Sequence, residues 1–206
     1  MRRVCLTVLA TTALVGCLGG GSAQPRTYYV LQDRAPAEVA SPGAPGRQSL
    51  VVAGTAVDAF YDAESLVFSP EPGQRAYYQF ASWTDRPANL VVQLAERRLE
   101  ARGRFASVAN LTTGVRADLL LNLGVREFYH DVAVKPSVVR VEITGELIDW
   151  RSRSLLARRT FAVSAPVRTD DAKGAADAFD HALTEAIDAL VPWVETQAAS
   201  AAPGSG

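Results

Sequence analysis

The spacing of apolar residues divides this chain into stretches with different periods. Strict alternation occurs in three long runs. In the first, Leu119, Leu121, Leu123 and Val125 share a face opposite Asp118, Asn122 and Arg126. In the second, Val139, Val141, Ile143 and Leu147 oppose Arg140, Glu142, Thr144 and Glu146; in the third, Leu155, Ala157, Phe161 and Val163 oppose Arg158, Thr160 and Ser164. A period of two sets one face on a core and the other in water, which is how antiparallel strands behave. Shorter β-rich runs precede them at residues 27–31 and 49–57, with another expected at 105–108. Residues 65–69 and 75–81 flank Pro70-Glu71-Pro72-Gly73 and read as a hairpin. Pro36, Pro42, Gly43, Pro45 and Gly46 make residues 35–47 a loop.

Twice the period lengthens. Across 85–102, Leu90, Val91, Leu94 and Leu99 recur at helical spacing, with Asp85 placed to cap, Pro87 in the first turn and Gly103 as a stop. From 171 to 196, Phe179, Leu183, Ile187, Leu190 and Val194 form one stripe, and Asp171 marks the start. Residues 27–197 are therefore expected to form one α+β domain, a twisted, mainly antiparallel sheet with two helices packed on one face. Residues 198–206 are expected to form a disordered tail.

Ahead of the domain the pattern is a different one. Arg2 and Arg3 precede a stretch from 4 to 15 that is apolar or small except for Thr7, Thr11 and Thr12. A membrane-spanning helix needs about 20 apolar residues, so this run reads as a signal peptide over residues 1–16. It ends in Leu14-Val15-Gly16-Cys17, which looks like a lipobox. A small residue at Gly16 lets the peptidase reach the backbone, and the Cys17 thiol can form a thioether to diacylglycerol. The amino group freed by cleavage can then take a further acyl chain such as palmitate. Burial yields about 0.8 kcal/mol per methylene, so one chain holds a membrane weakly and two or three hold it permanently. Leu18, in place of Asp, points to the outer membrane with the domain facing the periplasm. Gly19-Gly20-Gly21-Ser22 makes residues 17–26 a lipidated Cys on a flexible tether.

Composition narrows the classes. With 206 residues, 48% hydrophobic and 21% charged, the chain can bury one core without disulfide staples. The formal net charge is -1, Lys occurs only at 135 and 173, and Arg alternates with Asp and Glu. No concentrated basic face results, which sets nucleic acid aside. Cys5 leaves with the signal, so Cys17 has no disulfide partner.

Catalytic and metal chemistry find little support. His130, in Tyr129-His130-Asp131, has no second His or Cys nearby and reads as a strand-end residue; His181 reads as solvated. A Gly-x-Ser-x-Gly elbow is missing. Asp170-Asp171 and Glu127 with Asp131 are carboxylate pairs, but Asp171 suits a helix start. No catalytic residue, metal set or cofactor is assigned beyond the covalent lipid. The paired aromatics Tyr28-Tyr29, Tyr77-Tyr78 and Phe128-Tyr129 lie on strands, where neighbours point to opposite faces, so one of each pair leaves the core. Tyr29, Tyr78, Tyr129 and Trp150 are the candidate contacts with a partner or lipid, the alternative being packing at a sheet edge. Arg151, Arg153, Arg158 and Arg159 follow Trp150 and could meet phospholipid head groups or form a solvated turn.

The order of these features resembles the ABC-type transport auxiliary lipoprotein family, the PqiC-like group. The resemblance is carried by the lipobox, Tyr28-Tyr29-Val30-Leu31, Leu50-Val51-Val52, Phe60-Tyr61-Asp62, Tyr77-Tyr78, Trp83, Pro87, the Leu90 to Leu99 helix and Phe105. It implies a non-enzymatic accessory lipoprotein at the outer membrane. Its partners would be an ABC permease, its ATPase and an MCE-domain protein that carries lipid between membranes. A second reading is a structural or regulatory outer-membrane lipoprotein such as a cell-wall synthase activator, which a longer tether would favour. A third, a periplasmic hydrolase, lacks a nucleophile-base pair.

Overall fold

The computed structural model describes residues 24–35 and 46–201. The expected signal peptide, with Leu14, Val15, Gly16 and Cys17, and most of the expected tether lie outside the described residues.

The strands are β1 (Thr27–Tyr29), β2 (Ser49–Ala56), β3 (Ser65–Ser69), β4 (Ala76–Trp83), β5 (Ser107–Asn110), β6 (Leu119–Asp131), β7 (Val138–Asp149) and β8 (Ser154–Pro166). The helices are α1 (Pro87–Arg102) and α2 (Ala172–Ala201). β6 is the spine. Along one edge it pairs antiparallel with β7 from Leu119↔Asp149 to Asp131↔Val138, and β7 pairs antiparallel with β8. The opposite edge is shared between two branches. Leu119 to Val125 pair in parallel with β2, which carries β5 in parallel; His130 and Asp131 pair in parallel with β3, which carries β4 antiparallel and then β1 in parallel.

The sheet is therefore mixed, where mainly antiparallel pairing was expected. Alternation reports which face is wet and carries no information about the direction of a neighbour. Direction is set by connections, and α1 returns the chain so that β5 lies parallel to β2.

The two helices share a face, as one row across the sheet makes plain. Gly54, Leu123 and Gly145 are register partners. A Cβ on Gly54 would lie 2.5 Å from Val92 Cγ2 and 2.9 Å from the Ala88 carbonyl oxygen, both on α1. A Cβ on Gly145 would lie 3.1 Å from Trp193 and 3.2 Å from Leu190, both on α2. Partners in a row point the same way, so α1 and α2 lie on the same side. Between them and the sheet, Leu50, Val52, Leu121, Leu123, Val139, Ile143 and Leu147 from the strands and Leu183 and Ile187 from α2 are fully buried.

A bulge at Arg126 resets the alternation in β6. Before it Leu121, Leu123 and Val125 face inward; after it Phe128 pairs with Val141 and His130 with Val139, and both turn inward. Phe128 then stacks on Phe179 of α2 at 4.4 Å, and Trp83 meets both edge-on at 5.7 and 5.4 Å.

Several element ends differ from expectation. Arg86, and not Asp85, is the N-cap of α1; Asp85 Oδ1 instead accepts from the Arg86 amide at 2.7 Å and Asn89 Nδ2 at 2.9 Å. Asp171 does start α2, its Oδ1 accepting from the Gly174 amide at 2.7 Å. That helix continues past 196 to Ala201 and buries Ala198, so residues 198–201 belong to the fold and not to a disordered tail. β5 begins at Ser107, later than expected, although Phe105 is buried and Ala106 N already donates to Gln48 O. Leu155 is exposed, since the β7–β8 register shifts beside it at Leu147/Ile148.

Candidate functional site

After β1, residues 31–35 form a strap across the helix pair. Arg26 Nη1 donates to Ser82 Oγ at 3.0 Å as β1 joins β4. Beyond β1, Leu31 is buried, the Gln32 amide donates to Asp180 Oδ1 at 2.9 Å, and the Arg34 amide donates to Thr184 Oγ1 at 2.8 Å. Asp33 accepts from Arg98 Nε at 2.8 Å and Nη2 at 2.6 Å, while Arg98 Nη1 reaches Asp188 at 2.6 Å. Arg98 stands on α1 and Asp188 on α2, so one guanidinium joins both helices to the strap. Asp180 is almost covered by Arg34, whose Nη2 donates at 2.9 Å. Burial still raises the Asp180 carboxyl above its ordinary value, outweighing the Gln32 and Arg34 hydrogen bonds that lower it.

A groove of about 600 Å³ runs beside the strap, lined by Arg34, Arg98, Thr184, Asp188 and the exposed His181. Sequence reasoning missed the clamp. Nothing local to Asp33, Arg98 or Asp188 in the sequence indicates that two distant segments converge on one guanidinium.

The second cluster surrounds His130, which is fully buried. Tyr78 Oη lies 2.7 Å from His130 Nδ1, and His130 Nε2 lies 3.0 Å from Ser137 Oγ. Ser137 donates to Asp170, which also holds Lys135 Nζ at 2.5 Å. One proton arrangement satisfies the chain: Tyr78 donates to Nδ1, Nε2–H donates to Ser137, and Ser137 donates to the carboxylate. Burial lowers the His130 pKa despite Asp170 and Asp131, and burial raises the Tyr78 phenol to about 12. The polarity is opposite to that of a nucleophile-base pair, because the nitrogen that would have to take the serine proton is itself the donor. Ser137 is also buried. The cluster ties β4, β6 and the start of α2 together. Among the described residues no group of three or more His, Cys, Asp and Glu could hold a metal ion.

The aromatic candidates separate. Tyr29 and Tyr78 are half-buried and packed on the core. Tyr129 is buried on the opposite face of the sheet under the Arg75 guanidinium, 3.6 Å from its ring centroid. The exposed members of the pairs are Tyr28 and Tyr77, with Phe80 further along β4. Neither Phe128 nor Tyr129 is exposed, and the irregularities in β6 and at β3/β4 shift the parity that alternation assumes in those strands. Trp150 is 39% exposed at the β7–β8 turn, near exposed Leu155 and Leu156. Of the nearby arginines, Arg151 pairs with Asp118 at 2.8 Å and Arg158 with Glu146.

Comparison with known proteins follows this geometry. Residues 29–191 match the family model described as ABC-type transport auxiliary lipoprotein component. No curated protein sequence matches the chain. Among solved structures, the chain is similar to protein XCC0632 from Xanthomonas campestris, with 27% identity and a TM-score of 0.74, covering 84% of this chain and 97% of that one. It shares its fold with an uncharacterised protein at 13% identity, TM-score 0.65, covering 83% and 99% of the two chains. The hypothetical protein CT253 from Chlamydia trachomatis is similar at 8% identity, TM-score 0.51, covering 75% and 99%. No helix among the described residues is long and apolar enough to cross a membrane. The match spans the domain from β1 into α2, and the chain belongs to the ABC-type transport auxiliary lipoprotein component family.

Proposed function

We propose that this chain is a non-enzymatic lipoprotein of an MCE-type lipid transport system, anchored in the outer membrane through acylated Cys17 with its domain in the periplasm. The observation that carries the reading is the family match over residues 29–191, preceded in sequence by Leu14-Val15-Gly16-Cys17. Residues 18–26 extend at most about 30 Å, so the anchor would hold the domain close to its membrane. Pull on the anchor is borne first by β1 on β4 and the Arg26–Ser82 hydrogen bond, and behind them by the Asp33–Arg98–Asp188 clamp. The domain acts as a docking piece for the MCE-domain protein and, through it, the permease and ATPase. Of the four aromatic candidates, Trp150 keeps the exposure that a partner or phospholipid contact requires.

Mass spectrometry of the native protein tests the anchor. The expected amino terminus is Cys17 carrying diacylglycerol and an amide-linked acyl chain such as palmitate, and Cys17→Ser should release the domain from the membrane. Affinity purification tests the role: recovery of the MCE-domain protein with loss of lipid balance on deletion supports it. An unacylated terminus upstream of Cys17, or co-purification with a cell-wall synthase in place of the transporter, overturns it.

A further inference from the structure

β2 is left half-covered. Its inner edge pairs with β6 from Leu50 to Ala56, but its outer edge pairs with β5 only from Ser49↔Ser107 to Val52↔Asn110. At Asn110 the chain leaves the sheet in a single 3-10 turn, Leu111–Thr113, with Asn110 Oδ1 accepting from the Thr112 amide. From Ala53 to Ala56 no strand among the described residues pairs with the outer edge.

Hydrogen-bond direction identifies which groups are open. Val57 N donates to Val125 O and Ser49 O accepts from Asp118 N, so odd-numbered residues of β2 address β6. Alternation then turns the N–H and C=O of Gly54 and Ala56 outward. Gly54 and Thr55 are exposed. A cleft of about 340 Å³ occupies this place, with Val52, Gly54 and Val92 on one side and Asp85, Glu96 and Asn110 around it. Asp85 and Glu96 accept hydrogen bonds only from uncharged groups, the Arg86 amide with Asn89 Nδ2 and Asn110 Nδ2 respectively; no cation among the described residues pairs with either.

We infer that the open edge of β2 at Gly54–Ala56 is a strand-addition site that takes an extended segment of a partner protein carrying Lys or Arg. The segment continues the row that β5 abandons, pairing with the outward groups of Gly54 and Ala56. Its basic side chains meet Asp85 and Glu96, and an uncharged side chain enters between Val52 and Val92. Gly54 is suited to the place twice over: its missing Cβ lets α1 approach, and it leaves the edge unobstructed. The site extends the docking role proposed above without depending on the lipid cargo, and peptide pairing and lipid transport can each fail with the other standing.

Amide hydrogen exchange on the full-length protein in detergent provides the test, with acetyl-Lys-Thr-Val-Thr-Lys-amide as probe, whose Lys and Val side chains share one face, and its Glu twin, acetyl-Glu-Thr-Val-Thr-Glu-amide, as control. The Lys peptide is expected to slow exchange at Gly54 and Ala56 by about tenfold, and the Glu twin to bind at least about fivefold more weakly. Ala56→Pro removes an outward N–H and should abolish the slowing at Gly54 while leaving the β6 ladder intact. Thr55→Pro, which breaks that ladder, should destabilise the domain instead. Methylating alternate peptide nitrogens leaves the protein untouched, and only one of the two methylation patterns should bind. No slowing at millimolar peptide, equal binding of the Glu twin, or indifference to both methylation patterns overturns the site. Protection of Gly54 and Ala56 that rises with protein concentration in the absence of peptide also overturns it, by assigning the edge to a second copy of the chain.

Discussion

The carboxy-terminal half, β6 to β8 with α2, and the amino-terminal half, β1 to β5 with α1, are built differently on one sheet. In the first, neighbours in sequence are neighbours in space, joined by hairpins and paired over strands of 12 or 13 residues. In the second, strands of 3 to 8 residues pair across the sequence, β1 with β4 and β2 with both β5 and β6. Local pattern is enough to place the long hairpins. The short strands take their positions from the spine and from α1, and they are where the sheet splits and leaves an edge open.

The largest effect should come from breaking what joins the halves. Phe179 stacks on Phe128 of the spine and meets Trp83 of the amino-terminal branch. Phe179→Ala should cost about 3–5 kcal/mol, and urea unfolding should remain a single transition. Two separated transitions would mean that the halves are independent units. Next is the strap. Arg98 has a side chain only 11% exposed and serves Asp33 and Asp188 together, so Arg98→Ala should cost about 2 kcal/mol. Amide protection should fall at residues 31–35 with β7 unchanged; loss throughout would show that the strap supports the whole core.

A pH effect should follow from His130, whose folded pKa lies below its unfolded value. Above about 6.5 both states are neutral and the contribution is complete. As pH falls through that value, the unfolded chain takes up a proton that buried His130 refuses, and stability is lost. Each unit of depression corresponds to about 1.4 kcal/mol. Denaturation at pH 7 and pH 5 should show the fall, and His130→Gln should flatten it; a steeper fall in the variant would assign it elsewhere. The smallest effect belongs to the solvated face. Arg126 and Glu142 meet at 3.4 Å with Arg126 half exposed, and Arg126→Ala should change stability by less than about 0.5 kcal/mol.

Much of the fold could be read directly from the residues. Asp171, Pro87 and Gly103 marked helix ends to within a residue or so, and the faces of β7 were correct at Val139, Val141, Ile143 and Leu147. The contact candidates were less legible. Alternation says that one member of Tyr77-Tyr78 and of Phe128-Tyr129 leaves the core but not which, and one extra residue at Arg126 or an irregular register between β3 and β4 is enough to exchange inside for outside.

The sequence by itself determined most of the elements, the wet and dry faces of β7 and of β6 as far as Val125, the start of α2 at Asp171, the stop of α1 at Gly103, and the family. These depend on interactions within a few residues, which composition and period record directly. Only the tertiary structure decided that the sheet is mixed, that Arg98 joins a strap to two helices, that His130 donates toward Ser137, and that β2 keeps an open edge. Each of these depends on which distant segments meet, and a run of side chains carries no mark of the partner that the folded chain will bring to it.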